Sequence, residues 1–571
     1  EFQKVFQKEK GECIFMRKQT KLVAVLSAAA LLAIGASMTS LAATGWQEEN
    51  GTWVYYDKNG DAVTEQWAKS GNNWFWLNED GEMATDYLVD DDSNYYYVDA
   101  NGAMVTNQWV SIENEDYDGD DGDEPLNYWY YFGANGKAYK SSSNSNSASF
   151  KTINGKKYIF NDEAQMLYGW IDTDGQRVTG DDDWREGTYY CGDENDGAQK
   201  VGEWAYLEIT DNNWDDIDTG LSSNNLFDDE DQTRYFYFKT NGKKMTDEKG
   251  KTINGRKYSF DEYGRMNAEW VNWEATPSTA SAGSASYTTG YRYYGDPEDG
   301  ARVTKGWFQV VPDSYLSPDD YDDDENNWYY SDKDGKLVAS EIKTINGKKY
   351  AFDSYGVMKS GLKAIKFAGN STTEIDEIKG DDGIANMHFD TEDNFKDNVS
   401  ALYGADYKLY YFGSGDDGAM KTGKQTVTID GEDYSFLFNK SGSSKGAGKL
   451  GIDDDKYYLG GMLLKASKDD KYSVIKITKD ASGTITALEC LSTEEFLADV
   501  DATSSIPTGK DDDYDEYYNV KESAADTATT QYRLVNTSGS VQKNKNKAKD
   551  GDDRCFKVGN SKEIEAVFVE S

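Results

Sequence analysis

Pairs of aromatic residues stand seven and five residues before a turn glycine at several places in the chain, and these rings are the residues whose spacing could do chemistry. Trp53 and Tyr55 precede Gly60 in this way. Because side chains alternate along a strand, both rings lie on one face. Two such rings and a third from a neighbouring segment could surround a quaternary ammonium, at about 0.5 to 2 kcal/mol per ring contact, or stack on a sugar.

The paired spacing recurs along the chain. It is found at Trp53 and Tyr55, Trp74 and Trp76, Tyr95 and Tyr97, Trp129 and Tyr131, Tyr235 and Tyr237, and Trp328 and Tyr330. A further aromatic residue follows several turn glycines by seven residues, at Trp67, Trp109, Trp204 and Trp307. The same rings could instead serve only to pack one hairpin on the next, because an isolated hairpin is marginally stable in water. The sequence leaves both roles open.

The elements that carry these rings are predicted to be β-hairpins. From Gly45 to about Lys140, an aromatic run, a turn pair and a short second strand recur at about 20-residue spacing. Both residues of Asn-Gly tolerate positive φ, so this pair between apolar runs is a strong hairpin signal. The turn pairs are Asn59-Gly60, Asp80-Gly81, Asn101-Gly102 and Asn135-Gly136.

A longer period follows this block. KTINGKKY at Lys151–Tyr158 returns as KTINGRKY at Lys251–Tyr258 and as KTINGKKY at Lys343–Tyr350, at offsets of 100 and 92 residues. Such a period is too long for one solenoid rung, so each copy must contain several hairpins. We therefore predict an all-β fold, an elongated solenoid-like array of stacked β-hairpins with acidic loop inserts between them, in which neighbours bury each other's apolar faces.

The amino-terminal region predicts an exported protein. Met16 is followed by basic residues, by the apolar stretch Leu22–Ala36 and by a small-residue cleavage site after Ala42 or Ala43. This is the pattern of a secretory signal peptide, and its apolar part is too short to span a membrane. The predicted segments are 1–15 (a translated upstream extension), 16–42 (signal peptide), 43–140 (N-terminal hairpin repeats), 141–150 (Ser/Asn linker), 151–250, 251–342 and 343–424 (three repeat blocks), and 425–571 (degenerate repeats or a capping region).

The charge balance restricts the class of partner. The chain has 60 Lys and Arg against 104 Asp and Glu, a formal net charge of -44. Nucleic-acid binders need clustered basic residues to displace counterions, so nucleic acid is excluded as a partner, and an anionic membrane is disfavoured for the same reason. A neutral or positively charged partner suits this chain. The sequence gives no prediction of oligomeric state.

Metal-ligating and catalytic constellations are not evident. The four cysteines are far apart and without CxxC spacing, so neither a disulfide framework nor a zinc site is predicted. His388 is the only histidine and is predicted to be incidental. Acidic loops such as Asp319–Asn326 lack the order of an EF-hand, so we predict no cofactor and keep calcium in these loops as an alternative.

The repeats resemble the choline-binding or cell-wall-binding repeats of Gram-positive surface proteins, which are related to the glucan-binding repeats of glucosyltransferases and the C-terminal repeats of large clostridial toxins. Gly45–Trp67 matches the family pattern GWxxxxGxWYYxxxxGxMxTGW closely, and the similarity extends with gaps over most of residues 45–424. The resemblance implies that hairpins stack into a superhelix whose inter-hairpin cages bind choline. It places one cage on Trp46, Trp53, Trp74 and Met83 and a second on Trp67, Trp74, Tyr95 and Met104.

The KTINGKKY hairpins depart from the family pattern. Lys157, Lys257 and Lys349 occupy the position seven residues before the turn, where a lysine would repel a cationic ligand. These hairpins are therefore predicted to be structural, with Tyr158 and Phe160 facing the other way into the stack.

Three function classes follow. The leading hypothesis is a secreted, non-catalytic protein that is held non-covalently at the cell surface by choline-type wall polymers or extracellular glycans, with retention strengthened by many weak sites. The alternatives are a host-glycan adhesin and an accessory subunit of a wall hydrolase or glycosyltransferase. No Ser-His-Asp, Cys-His or HExxH arrangement is present, so the chain is predicted not to be an enzyme, although a pair of carboxylates with glycosidase activity is not eliminated in so acidic a sequence.

Overall fold

The computed structural model describes residues 44–117, 124–141, 147–210, 231–380, 389–403, 405–521 and 527–571. The predicted upstream extension and signal peptide, residues 142–146 of the predicted linker and His388 lie outside the described residues. The described chain is mostly antiparallel strands in hairpin pairs, which confirms the predicted all-β class. It divides into two compact units: Glu1–Trp214 with Phe227–Glu248 and Phe260–Met266, and Asp215–Leu226 with Lys249–Ser259 and Asn267–Ser571.

The first unit consists of consecutive two-stranded hairpins. Each strand pairs with its immediate neighbour in the chain. A four-residue helix, α1 (Asp183–Glu186), stands between the two strands of the sixth hairpin. The pairs are β1 (Gly45–Glu49) with β2 (Thr52–Tyr56), β3 (Gln66–Ser70) with β4 (Asn73–Leu77), β5 (Tyr87–Asp91) with β6 (Asn94–Val98), β7 (Gln108–Glu113) with β8 (Asn127–Phe132), β9 (Lys151–Ile153) with β10 (Lys156–Tyr158), β11 (Gly169–Ile171) with β12 (Tyr189–Cys191), and β13 (Glu203–Thr210) with β14 (Asp231–Phe238).

Four more two-stranded hairpins follow, and short helices stand between the paired strands of two of them. The hairpins are β15 (Glu248–Ile253) with β16 (Arg256–Phe260), β17 (Trp270–Asn272) with β18 (Tyr291–Tyr293), β19 (Gly306–Val310) with β20 (Asn327–Ser331), and β21 (Glu341–Ile345) with β22 (Lys348–Phe352). Helix α2 (Ala285–Thr288) joins β17 to β18, and α3 (Pro318–Asp322) joins β19 to β20. The acidic insert Asp319–Asn326 therefore lies within one hairpin, whereas the sequence analysis placed such inserts between hairpins.

The two strands of a regular hairpin are joined by a different turn from the one that was predicted. The two-stranded ladder of the first hairpin is closed at Asn50-Gly51, where both φ angles are positive (53° and 87°), as a type I′ turn requires. At Asn59-Gly60 only Gly60 has a positive φ, and the chain beyond it makes a single bridge, Tyr56 to Ala62. The Asp57 carboxylate accepts hydrogen bonds from the N–H groups of Asn59 (2.8 Å) and Asp61 (3.0 Å), which fixes this second turn.

Each hairpin is joined to the one before it through the residue two positions after the turn glycine. The N–H of Met83 donates to the carbonyl of Trp53 at 2.7 Å, and the N–H of Met104 donates to the carbonyl of Trp74 at 2.8 Å. Met166 and Met358 repeat this bond later in the chain. The position, which we call the post-turn position, therefore links consecutive hairpins irrespective of its side chain.

The carboxy-terminal part of the second unit has larger sheets than the hairpin repeats. Helices α4 (Glu392–Tyr403) and α5 (Thr493–Asp499) pack on two apolar cores, one containing Phe395 and Phe436 and the other Phe496 and Phe556. The sheets, in strand order, are β24 (Ile375–Lys379), β23 (Leu362–Phe367) and β25 (Lys408–Tyr411); β26 (Gly423–Ile429), β27 (Glu432–Phe438), β30 (Met462–Leu463), β29 (Lys456–Leu459) and β28 (Gly451–Asp453); β32 (Ile485–Leu491), β31 (Tyr472–Lys479) and β34 (Thr530–Asn536); and β33 (Tyr514–Asn519), β37 (Ile564–Glu570), β36 (Cys555–Val558) and β35 (Lys545–Lys549).

Two further features concern the described residues only. None of their helices is both long and apolar enough to cross a membrane. Cys191, Cys490 and Cys555 are free cysteines.

Candidate functional site

The tryptophan on the first strand of a hairpin is the centre of each aromatic group. Trp109 on β7 lies opposite Tyr131 on β8, and their ring centroids are 5.2 Å apart in an edge-to-face arrangement. Trp307 on β19 and Tyr330 on β20 repeat this geometry at 5.1 Å. The residues five positions before the turn are therefore cross-strand partners of this tryptophan. Two further pairs of predicted residues have the same relation: Trp46 with Tyr55 at 5.3 Å and Trp67 with Trp76 at 5.3 Å.

The residue seven positions before the turn supplies a second wall. The rings of Trp109 and Trp129 are steeply inclined to each other, with centroids 6.5 Å apart, and those of Trp307 and Trp328 are 6.3 Å apart at 82°. Trp204 and Tyr235 have the same relation at 6.3 Å and 89°. The two rings of each pair belong to the two strands of one hairpin and are steeply inclined to each other, so they form a corner.

The third wall comes from the following hairpin. Trp109 contacts Tyr158 at 4.9 Å and stacks near Phe160 at 5.8 Å, and both are residues of a KTINGKKY hairpin. Trp307 contacts Tyr350 at 4.8 Å and Phe352 at 5.6 Å. Tyr158 and Phe160 do face into the stack, as predicted. The interpretation of these hairpins as only structural is incomplete, because they complete the ring groups of the hairpins before them.

A methionine at the post-turn position adds a fourth component. Met166 packs in the same apolar cluster as Trp109, Trp129 and Tyr158. Met358 packs in the same cluster as Trp307 and Tyr350. We call Trp109, Trp129, Tyr158 and Met166 the first cluster, and Trp307, Trp328, Tyr350 and Met358 the third cluster. Trp204, Tyr235, Phe260 and Met266 form the second cluster, in which Trp204 lies 5.7 Å from Phe260.

In the N-terminal hairpins the next-hairpin wall differs from the one that the resemblance implied. Trp46 contacts Phe75 at 5.3 Å, and Trp67 contacts Tyr96 at 5.1 Å. The proposed walls Trp74 and Tyr95 precede these residues by one position, so they point to the opposite strand face. The predicted residue Tyr97 lies 6.1 Å from Phe132.

The ring groups differ in their access to solvent. Trp109, Trp129, Trp307 and Trp328 are partly exposed, and Trp74 is 39% exposed. By contrast, Trp170 on β11 and Trp270 on β17 are buried, at 3% and 2% exposure. Both belong to hairpins that carry a helical insert, and a buried aromatic residue of each insert, Trp184 or Tyr287, packs in the same apolar cluster as the tryptophan.

Charged side chains stand beside several rings. The indole N–H of Trp328 donates to the Asp416 carboxylate at 3.0 Å, and that of Trp67 donates to Asp91 at 3.0 Å. A carboxylate at the ring edge favours a cation over the ring face. Lysines of the chain already approach two of the N-terminal rings: Lys69 lies 5.5 Å from the ring centroid of Trp74, and Lys140 lies 5.4 Å from that of Tyr95.

The phenol of Tyr158 remains neutral in the first cluster. Burial raises its pKa, and the nearby Asp196 raises it further. An uncharged phenol brings no ionic contact that would compete with ring contacts to a cation.

Tyr158 and Tyr350 are the residues that sequence reasoning did not assign to a site. The signal was the position six residues before the turn, where Phe75, Tyr96, Tyr158 and Tyr350 are all aromatic. The aromatic residues at this position were not recognised as site residues, because the positions seven and five residues before the turn carry most of the tryptophans.

Other candidate sites are weaker. A cavity of about 440 Å³ is lined by Leu362, Lys363, Tyr411 and Val427, among others, and contains none of the predicted site residues. Among the described residues, no three or more His, Cys, Asp or Glu side chains gather in a way that could hold a metal ion. The expectation of no cofactor, with calcium in the acidic loops as its alternative, stays a prediction.

Comparisons with known proteins give one sequence match. Residues 63–109 match the family model described as a choline-binding repeat. No curated protein sequence matches the chain.

Three solved structures from Streptococcus pneumoniae illustrate the structural similarity. The modular autolysin LytC, in complex with a synthetic peptidoglycan ligand, is 17% identical over 58% of this chain and 56% of that chain, with a TM-score of 0.30. Choline-binding protein F is 17% identical over 70% of this chain and 98% of that chain, with a TM-score of 0.28. CbpJ is 17% identical over 67% and 99%, with a TM-score of 0.33.

The matched segment contains Trp67, Trp74 and Trp76, three of the rings whose contacts are described above. Residues 63–109 are therefore similar to a choline-binding repeat.

Proposed function

We propose that this protein is a secreted, non-catalytic binder of choline-bearing cell-wall polymer, which the three clusters and the N-terminal ring groups hold through quaternary ammonium groups. One observation carries the proposal. In the third cluster Trp307, Trp328 and Tyr350 form three walls around one corner, with Trp307 4.8 Å from Tyr350 and 6.3 Å from Trp328, and all three rings keep part of their surface exposed.

The chemistry of the walls favours a quaternary ammonium over a simple metal ion. Ring faces attract a diffuse cation through their quadrupoles and shield its methyl groups from water, at about 0.5 to 2 kcal/mol per ring. Asp416 adds a carboxylate at the edge of Trp328. A single site of this kind would be weak, and several sites on one polymer chain would give firm retention by multivalency.

Retention on a choline-bearing resin tests the proposal. We expect the full chain to be retained and to be eluted by free choline. The neutral isostere 3,3-dimethyl-1-butanol, which has the same shape without the charge, should not elute it, because the attraction depends on the positive charge. Elution by both compounds equally would indicate an apolar pocket and would contradict the proposal.

Substitutions locate the site. The double variant Trp129→Ala with Trp328→Ala removes one wall from the first cluster and one from the third, and the choline affinity of each altered site should fall about 5- to 30-fold, which corresponds to about 1 to 2 kcal/mol. Tyr321→Ala is a matched control, because Tyr321 is also a partly exposed ring (39%) but lies in the insert helix α3. Unchanged binding by the double variant would place choline elsewhere in the chain.

The non-catalytic part of the proposal has its own test. Incubation of the protein with purified cell wall or with glucan should release no reducing sugar. Release that disappears on substitution of a pair of carboxylates would overturn this part and leave the choline result unaffected.

A further inference from the structure

Lys244 occupies a position that methionine holds in the three clusters. Its N–H donates to the carbonyl of Thr188 at 2.7 Å, as the N–H of Met166 donates to the carbonyl of Trp129 at 2.7 Å. The backbone role of the post-turn position is therefore the same in both hairpins. Only the side chain differs, and it carries an amine where the clusters have a thioether.

The amine of Lys244 lies at an aromatic ring inside the protein. Its Nζ is 5.0 Å from the ring centroid of Trp170, which is the first-strand tryptophan of the hairpin β11 and β12. Lys244 is 6% exposed. Trp170 also contacts Tyr190 at 5.0 Å and Phe236 at 5.2 Å, so this ring group has the same cross-strand and next-hairpin walls as the clusters.

The insert helix α1 closes this group. Nζ of Lys244 donates to the carbonyl of Arg185 at 3.2 Å and to the carbonyl of Trp184. The side chain of Trp184 is fully buried. Gly187 allows the close approach of the insert, because a Cβ there would lie 2.7 Å from Cε3 of Trp170. The amine therefore has a ring on one side and two carbonyl acceptors on the other.

The surrounding charges are mixed. Burial and Arg265 oppose the protonated amine, whereas Asp261 and Asp183 favour it, and the pKa of Lys244 is lowered to about 7. Arg265 is itself paired with Asp261 at 2.6 Å.

We propose that the Trp170 group is an amine site that the chain fills with its own Lys244, and that this site accepts a primary amine and excludes a quaternary ammonium. The inference deepens the proposed function, since it treats the Trp170 group and the three clusters as one class of aromatic site. The selectivity follows from the carbonyls of Trp184 and Arg185, which need N–H donors that a trimethylammonium lacks. The post-turn residue of this hairpin thus fills the Trp170 group from within the chain.

Chemical rescue tests the proposal in the full chain. Lys244→Ala removes three methylenes and the amine, which together correspond to n-propylamine. At about pH 6, where alkylammonium ions are fully protonated, n-propylammonium should raise the thermal unfolding midpoint of Lys244→Ala in a saturable manner. Tetramethylammonium, choline and the neutral 1-propanol should not. The wild-type protein should show no such rise, because its own side chain fills the site.

Met166→Ala is the matched control, since it shortens the post-turn side chain of an open cluster. Its midpoint should not respond preferentially to n-propylammonium. Equal responses of Lys244→Ala and the wild type, or equal effects of n-propylammonium and tetramethylammonium on Lys244→Ala, would overturn the proposal.

A second measurement serves if Lys244→Ala does not fold. In wild-type protein labelled at lysine Cε, one resonance should be shifted upfield by the ring current of Trp170 and should disappear in Lys244→Met. A spectrum with no lysine Cε resonance shifted in this way would refute the placement of the amine. Neither measurement depends on choline, so failure of the resin test and failure of this proposal are distinguishable.

Discussion

Single side chains determine how each aromatic ring is used. The Asp416 carboxylate accepts from the indole of Trp328 at its edge and leaves the ring face available. The Lys244 amine approaches the ring of Trp170 and is buried with it. Trp328 and Trp170 therefore differ in their availability to a ligand. A carboxylate binds the edge of the Trp328 ring, whereas the Lys244 amine lies at the buried ring of Trp170.

Asp416→Asn should weaken choline binding at the third cluster. The carboxylate contributes attraction at the edge of a partly exposed ring, so screening limits the loss to about two- to threefold in dissociation constant. Isothermal titration of the variant with choline measures this change.

Asp417→Asn is the control for that variant, because it removes the same charge from the adjacent residue, whose carboxylate pairs with Lys421. Its affinity should remain closer to that of the wild type. Equal losses in the two variants would show that the effect is one of net charge and not of the contact with Trp328.

At the scale of the hairpin, the post-turn methionine packs against the turn of the following hairpin. A Cβ on Gly102 would lie 2.8 Å from both Sδ and Cε of Met83 and 3.1 Å from the carbonyl oxygen of Ala84. The backbone bond from Met83 to Trp53 and this side-chain contact place three consecutive hairpins in register. The glycine is thus required by the stacking as well as by its φ of +77°.

Gly102→Ala should lower the thermal unfolding midpoint more than Gly71→Ala does. Both positions have a positive φ, which costs an alanine about 1 to 2 kcal/mol. A Cβ added to Gly71 would meet no atom within 4 Å, whereas one added to Gly102 would displace the flexible end of Met83 and lie 3.1 Å from the carbonyl oxygen of Ala84, which costs about 1 kcal/mol more. Circular dichroism on heating compares the two, and equal midpoints would contradict the packing role of Met83.

Several of these elements could be predicted from the sequence. Asn154-Gly155 in KTINGKKY predicts a type I′ turn, and the structure has φ angles of 50° and 85° there. Asn59-Gly60 is the same dipeptide in another conformation, because the Asp57 carboxylate binds the N–H groups around it. At this turn the Asp57 carboxylate fixes the second conformation, which the dipeptide alone does not reveal.

The third wall of each cluster was harder to predict. Trp109 and Tyr131 follow from strand alternation within one hairpin. Contact of Trp109 with Tyr158 depends on which face of the next hairpin meets the first. That choice is set by the hydrogen bond between the post-turn residue and the preceding hairpin, a long-range feature with no periodicity of its own in the sequence.

At the scale of the whole molecule, the net charge of -44 acts on any cationic surface independently of the rings. Attraction between exposed charges is screened over about 3 Å at 1 M salt, whereas a cation in contact with ring faces is much less affected. The contributions of surface charge and of ring contacts to retention should therefore be distinguishable by raising the salt concentration.

The wild-type protein should remain on a choline resin in about 1 M sodium chloride, where the screening length is about 3 Å, and should leave it on addition of choline. Under the same conditions the variant with Trp129→Ala and Trp328→Ala should leave earlier. Elution of the wild type by salt alone would show that retention was ion exchange by the acidic surface.

Tyr158 and Tyr350 each lie on one hairpin and contact a tryptophan of the hairpin before it, which has a consequence for how the number of repeats can change. Trp307 and Trp328 precede the third KTINGKKY copy, Tyr350 is its last residue, and Met358 follows it. A gain or loss of one copy between KTINGKKY segments would restore the same tyrosine at the new junction. An array of a different length would therefore keep an aromatic third wall wherever two copies are joined.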